Sequence, residues 1–155
     1  MNKPERTARS QYLTKVREDF PDTLVFGDDT FVKKFPMRYG ENPGYPAAFY
    51  QETGAEGPNM GRLEVLQEGT KGLSYINVGD MDLGQRLARK LVRVFPGRQV
   101  CVLIKHEMPS GVALGDDPVE TFEKAWKCDA LSNFGSVDVF SYRVTEPLAC
   151  LIVES

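Results

Sequence analysis

Residues 80–105 read DMDLGQRLARKLVRVFPGRQVCVLIK, and two periodicities meet inside them. From Asp80 to Phe95, Leu83, Leu87, Leu91 and Val94 recur at three- and four-residue spacing, with Arg86, Arg89, Lys90 and Arg93 opposite. This is the pattern of an amphipathic helix, and Gly97 supplies its stop. RQVCVLIK (98–105) then runs apolar without alternation, as a strand buried on both faces does. Such a helix handing over to such a strand predicts an α/β domain, a sheet with helices on its faces.

After this strand, Asp117, Pro118 and Glu120 stand as N-cap, first helical residue and capping-box acid. Val119, Phe122 and Trp126 make the apolar face of the helix they start. SVDVFSY (136–142) reads as a strand, and 145–155 as a final helix whose β-branched content leaves a strand open. HEMPSGVALGD (106–116) reads as a Gly/Pro-rich loop. Upstream, 4–20 predicts a helix, with Ala8, Tyr12, Leu13, Val16 and Phe20 on one stripe before Pro21. Strands are expected at 23–27 and 30–35 around a Gly-Asp-Asp turn, then at 47–52, 62–68 and 73–77. PMRYGENPGYP (36–46) is an irregular loop. No repeat or linker divides the chain, so a single domain over 1–155 is expected.

The 155 residues are 41% hydrophobic and 26% charged, the balance of a globular domain. Nineteen Lys and Arg stand against 22 Asp and Glu, a net charge of −3. That speaks against a nucleic-acid binder held by a general basic field, so an anionic ligand needs a few local cations. The longest apolar run, 148–153, is too short to cross a membrane. Cys101, Cys128 and Cys150 form no CxxC pair, so no metal site is expected. Cys101 and Cys150 sit in apolar runs and read as buried free thiols, which points to a reducing, cytoplasmic compartment.

His106 is the only histidine and the first candidate for acid–base work near neutral pH. It follows Lys105 at the end of the buried strand. A Lys beside a His suits a reaction in which a proton leaves while an oxyanion develops. Read from spacing alone, a solvated pair at a strand edge is the simpler account. Arg38 and Tyr39, on a Gly/Pro loop, could hold a phosphate or ribose, or belong to an ordinary surface loop. Asn77 ends LSYIN as a turn former or a ligand contact, and Gly135 in SNFGS could let backbone approach a ligand or simply make a turn.

Together RYGENP (38–43), LSYIN (73–77) with Asp80 after it, KHEMPSG (105–111) and SNFGS (132–136) resemble one enzyme family in order and separation. It is the transformylase part of the bifunctional AICAR formyltransferase/IMP cyclohydrolase of purine biosynthesis, whose pattern is close to RYGENPHQ, LSYNN, KHxNPCG and SAFGG. The resemblance covers about residues 10–155. It implies a three-layer α/β/α, cytidine-deaminase-like domain with a mixed sheet, the chain resembling the first of two such subdomains. It implies no metal, and the CxxC pair that a zinc deaminase needs is absent.

The resemblance also implies a reaction, attack of the AICAR amine on the formyl carbon of 10-formyltetrahydrofolate. It gives His106 the amine proton, Lys105 the transition-state charge, and Arg38, Tyr39, Asn77 and Gly135 the nucleotide. A homodimer, or a chain carrying the second half, is expected to complete the site. The sequence departs from the pattern at Gly44 and Tyr45 for His and Gln, and at Met108 and Ser110 for Asn and Cys. Those departures keep open a non-catalytic half-domain that binds a purine nucleotide and regulates a partner.

Overall fold

The buried run of 98–105 forms β4 (Gln99–Lys105), with residues 100–104 fully shielded from solvent. Because strand side chains alternate, one run feeds two cores. Val100, Val102 and Ile104 pack with Ala88, Leu83, Leu87 and Leu91 of α1 (Tyr75–Val94). Cys101 and Leu103 pack on the other side with Phe122 and Ala125 of α2 (Pro118–Trp126) and Leu148 of α3 (Glu146–Glu154). Helices therefore cover both faces of this sheet, as the α/β reading expects.

The computed structural model describes residues 19–69 and 71–155, so the helix expected over 4–20 lies almost wholly outside the described residues. The chain divides into two compact units, Met1–Ile76 and Asn77–Ser155. In the second unit, β5 (Met108–Gly115) and β6 (Val137–Phe140) flank β4 in the order β5-β4-β6. In the first, β1 (Thr23–Phe26), β2 (Asp29–Pro36) and β3 (Ala48–Glu52) lie in the order β1-β2-β3. Every strand pair among the described residues is antiparallel, so the expected mixed sheet is replaced by two antiparallel ones.

Several local expectations change. The 106–116 loop is a two-residue turn followed by β5; Pro109 is tolerated because β5 is an edge strand, and the register shift after Leu103 leaves Ser110 as a bulge. LSYIN is no strand: Tyr75, Ile76 and Asn77 are the first turn of α1. Residues 62–68 form no strand either, because alternation of Leu63 and Val65 cannot create a ladder partner; Leu66 is exposed and a 3-10 turn, Met60–Arg62, precedes them. Val94 is exposed rather than part of the α1 stripe. Cys150 is exposed, since α3 turns Leu148, Leu151 and Ile152 to the core. Cys101 is buried as expected, and burial pushes its thiol up to about 12.

The end of the chain is helical, with Pro147 in the first turn of α3. Asp117 caps α2 by accepting from Val119 N–H at 2.9 Å and Glu120 N–H at 3.0 Å. Small residues set close approaches around the sheet. A Cβ on Gly84 would meet Val139 Cγ2 at 2.6 Å, and one on Gly111 would meet the Ala125 carbonyl oxygen at 2.2 Å. Among the described residues, no helix is long and apolar enough to cross a membrane.

Candidate active site

Lys105 ends β4, and its partner across the ladder is Met108. His106 and Glu107 are therefore the two residues of a β-hairpin turn. Both have left-handed backbone, φ 52° and φ 60°, as a type I′ turn requires. Asn and Gly are the usual occupants. A side chain held there costs about 1–2 kcal/mol relative to its preferred backbone, so surrounding contacts must fix the turn.

Two contacts bracket it. On one side, the carboxylate of Asp80, buried in α1 at 5% exposure, accepts the Glu107 N–H at 2.7 Å. Gly79 beside it leaves room, since a Cβ there would stand 3.2 Å from Glu107 Oε1. On the other side, Lys105 Nζ donates to the Phe134 carbonyl and lies 5.9 Å from the centroid of the Phe134 ring. The strand delivers His106 and Glu107 to solvent, both exposed, with Lys105 half-buried behind them.

The loop that receives Lys105 is built on Asn133, which is fully buried. Its amide donates to the Trp126 carbonyl at 2.8 Å, and its backbone N–H donates to the Asp129 carbonyl at 3.0 Å. Ser132 N–H donates to Asp129 Oδ1 at 3.1 Å. Gly135 then takes φ 73° with open space around it, a conformation that favours glycine. Ser136 Oγ donates to Asp138 Oδ1 at 2.6 Å, while burial holds the Asp138 carboxyl above the usual Asp range. The KH and SNFGS segments, 29 residues apart between Lys105 and Phe134, thus form one cluster. Asn77 lies one helical turn before Asp80, on the same side of α1. In the sequence Asp80 stands out only as part of a pattern. Its role was not legible, because its partner is a backbone group 27 positions away.

Arg38 and Tyr39 belong to the first unit, where the loop closes on itself. Met37 N–H donates to the Ala47 carbonyl at 2.8 Å, and Gly40 N–H to the Tyr45 carbonyl at 2.8 Å. Arg38 N–H donates to the Leu73 carbonyl at 2.7 Å, and Tyr75 N–H to the Tyr39 carbonyl at 3.1 Å. Tyr39 is buried at 5% exposure. The Arg38 guanidinium lies 4.8 Å from the Tyr39 ring centroid, and Nη2 donates to the Tyr39 hydroxyl at 3.3 Å. Arg38 Nε is buried with no hydrogen-bond partner among the described residues. Such an orphan donor on a permanent cation is suited to an anionic acceptor.

The AICARFT/IMPCHase bienzyme family model matches residues 6–155. The chain is 37% identical over 142 residues to the bifunctional purine biosynthesis protein PurH of Clostridium acetobutylicum, a match covering 92% of the chain and 26% of that relative. Against the bifunctional purine biosynthesis protein PurH of Clostridium botulinum it is 35% identical over 134 residues, covering 86% of the chain and 25% of the relative. The chain spans about a quarter of the length of these curated relatives.

Proposed function

The chain belongs to the AICARFT/IMPCHase bienzyme family, and from that premise we propose that it takes part in formyl transfer from 10-formyltetrahydrofolate to the 5-amino group of AICAR. In this reading the whole chain corresponds to the first half of the transformylase domain. A second copy, or a chain carrying the second half, completes the site.

The observation that carries the reading is the Lys105–His106 turn. An exposed imidazole and a cation stand on consecutive residues, in a strained turn tied from both sides. The amine of AICAR is a weak aromatic nucleophile. As its nitrogen bonds to the formyl carbon, the carbonyl oxygen takes the electron pair and the nitrogen must lose a proton. His106 accepts that proton, and Lys105 stabilises the oxyanion. Collapse of the intermediate returns the carbonyl and expels the folate nitrogen, which leaves protonated. Arg38 and Tyr39 hold the nucleotide's anionic and ribose groups, a role supported by the buried Arg38 Nε, which has no hydrogen-bond partner among the described residues. Asn77 and Gly135 border the nucleotide through a side-chain amide and an exposed, left-handed backbone.

The test is formyl transfer by the purified chain, with His106→Ala as control. Removing a general base is expected to lower the rate by about 10²–10⁴-fold while AICAR binding persists. Equal rates in wild type and variant would overturn the catalytic role of His106. A second reading, nucleotide binding without transfer, is favoured by Met108, Gly44 and Tyr45 where the pattern has Asn, His and Gln. AICAR binding with no transfer, even beside a chain carrying the second half, would decide for it.

A further inference from the structure

We infer that Asp80 is a positioning residue for His106, acting through the backbone of Glu107. The inference rests on the transformylase reading and assigns the turn's geometry to a side chain on a different element. His106 and Glu107 both hold left-handed backbone, and neither is the glycine or asparagine that would adopt it readily. The hairpin therefore does not fix the imidazole's direction by local preference alone. The side-chain contact to the turn's own backbone comes from Asp80, whose buried carboxylate accepts the Glu107 N–H at 2.7 Å. A charged acceptor makes this a strong hydrogen bond.

Its anchor is rigid. Asp80 sits in the 20-residue helix α1, which is packed through Leu83, Leu87, Ala88 and Leu91 against β4, the strand that carries the turn. Gly79 completes the clasp, because its missing Cβ lets the Glu107 side chain lie against the helix. With the Glu107 N–H held on α1 and Lys105 held on the Phe134 carbonyl, His106 lies between two fixed points. Loss of the Asp80 acceptor releases one of them. The turn then relaxes toward ordinary backbone and swings the imidazole away.

The chain's single histidine makes the test direct. The imidazole resonances of the full chain report His106 alone, whether or not the protein transfers formyl groups. Asp80→Ala is expected to move them toward the unstructured position and to remove hydrogen-exchange protection from the Glu107 amide. Asp80→Asn, which keeps an oxygen acceptor, is expected to preserve both. In the transfer assay Asp80→Ala is expected to lower kcat by about 100-fold, the scale of a small misplacement of a reacting group. KM for AICAR should change far less, and Asp80→Asn should recover most of the rate. Combining Asp80→Ala with His106→Ala should add little to His106→Ala alone. The inference is overturned if the imidazole resonances are unmoved in Asp80→Ala, or if Asp80→Asn and Asp80→Ala behave alike. It is also overturned if Asp80→Ala moves the resonances but leaves kcat intact. Absence of transfer by the wild-type chain, even beside a chain carrying the second half, would instead remove the transformylase reading, and the resonances would still decide whether Asp80 sets His106.

Discussion

The Lys105–Glu107 turn carries the proposed proton transfer and the Arg38–Tyr39 loop the proposed nucleotide binding, and the two are held in opposite ways. The loop is fixed by backbone hydrogen bonds, from Met37, Arg38, Gly40 and Tyr75, and buries its tyrosine. The turn exposes its histidine, takes disfavoured backbone at two successive residues, and depends on two side chains, Asp80 and Lys105. A loop closed by main-chain bonds keeps its shape when the Arg38 side chain is replaced. A turn held by distant side chains can lose its geometry without a change to the histidine. Binding groups and proton-transfer groups impose different demands. A salt contact tolerates small displacement, whereas proton transfer does not.

The contrast can be broken at either end. After those of His106→Ala and Asp80→Ala, the largest effect is expected at the loop's charge. Arg38→Met should weaken AICAR binding by about 1.5–3 kcal/mol, the usual worth of a hydrogen bond to a charged group, with little change in thermal midpoint. Titration calorimetry beside a melting curve checks this; a large fall in midpoint would mean that Arg38 is structural and the loop is not self-supporting. Next, Gly135→Ala places a side chain at φ 73° in open space. A loss of about 1–2 kcal/mol is expected from the backbone alone, measurable by denaturant unfolding, with Lys105 shifted as the Phe134 carbonyl moves.

At the turn, Glu107→Gly relieves the left-handed strain. A gain of about 0.5–1 kcal/mol is expected, below the full strain because glycine also loosens the unfolded chain. No gain would mean that the turn is not strained. The smallest effect is expected at Asp138, beside the Gly135 loop. Burial raises its pKa above the ordinary 3.8, against the hydrogen bond from Ser136. Its contribution to stability is therefore full below the ordinary value and is lost as pH rises through the raised one. Asp138→Asn should raise the thermal midpoint at neutral pH by roughly 2 °C and leave it unchanged in acid. An equal gain at both ends would point to packing rather than charge.

The amphipathic stripe of α1, the doubly buried run of β4 and the Asp117 cap of α2 were all legible, because each signal is local and repeats along the chain. The four segments with candidate chemistry were legible in the same way, as short runs of unusual composition. What failed was local too. Gly and Pro in HEMPSGVALGD suggested a loop, but glycines at 111 and 115 are needed where β5 passes close to α2 and Thr121, and Pro109 is harmless on an edge. Tyr75, Ile76 and Asn77 look like strand residues, yet they open a helix whose core-facing stripe lies further on.

The α/β class, the two-faced strand β4, and the placing of Lys105 and His106 at its end are all written in the order of residues. Those follow from side-chain period and from where an apolar run stops, which are properties of neighbours along the chain. That β5 folds back beside β4, that Lys105 meets Phe134, and that Asp80 holds Glu107 emerge only in the folded chain. Those contacts join residues as much as 29 positions apart. No local pattern encodes them, because a hydrogen bond depends on where two groups come to lie in space.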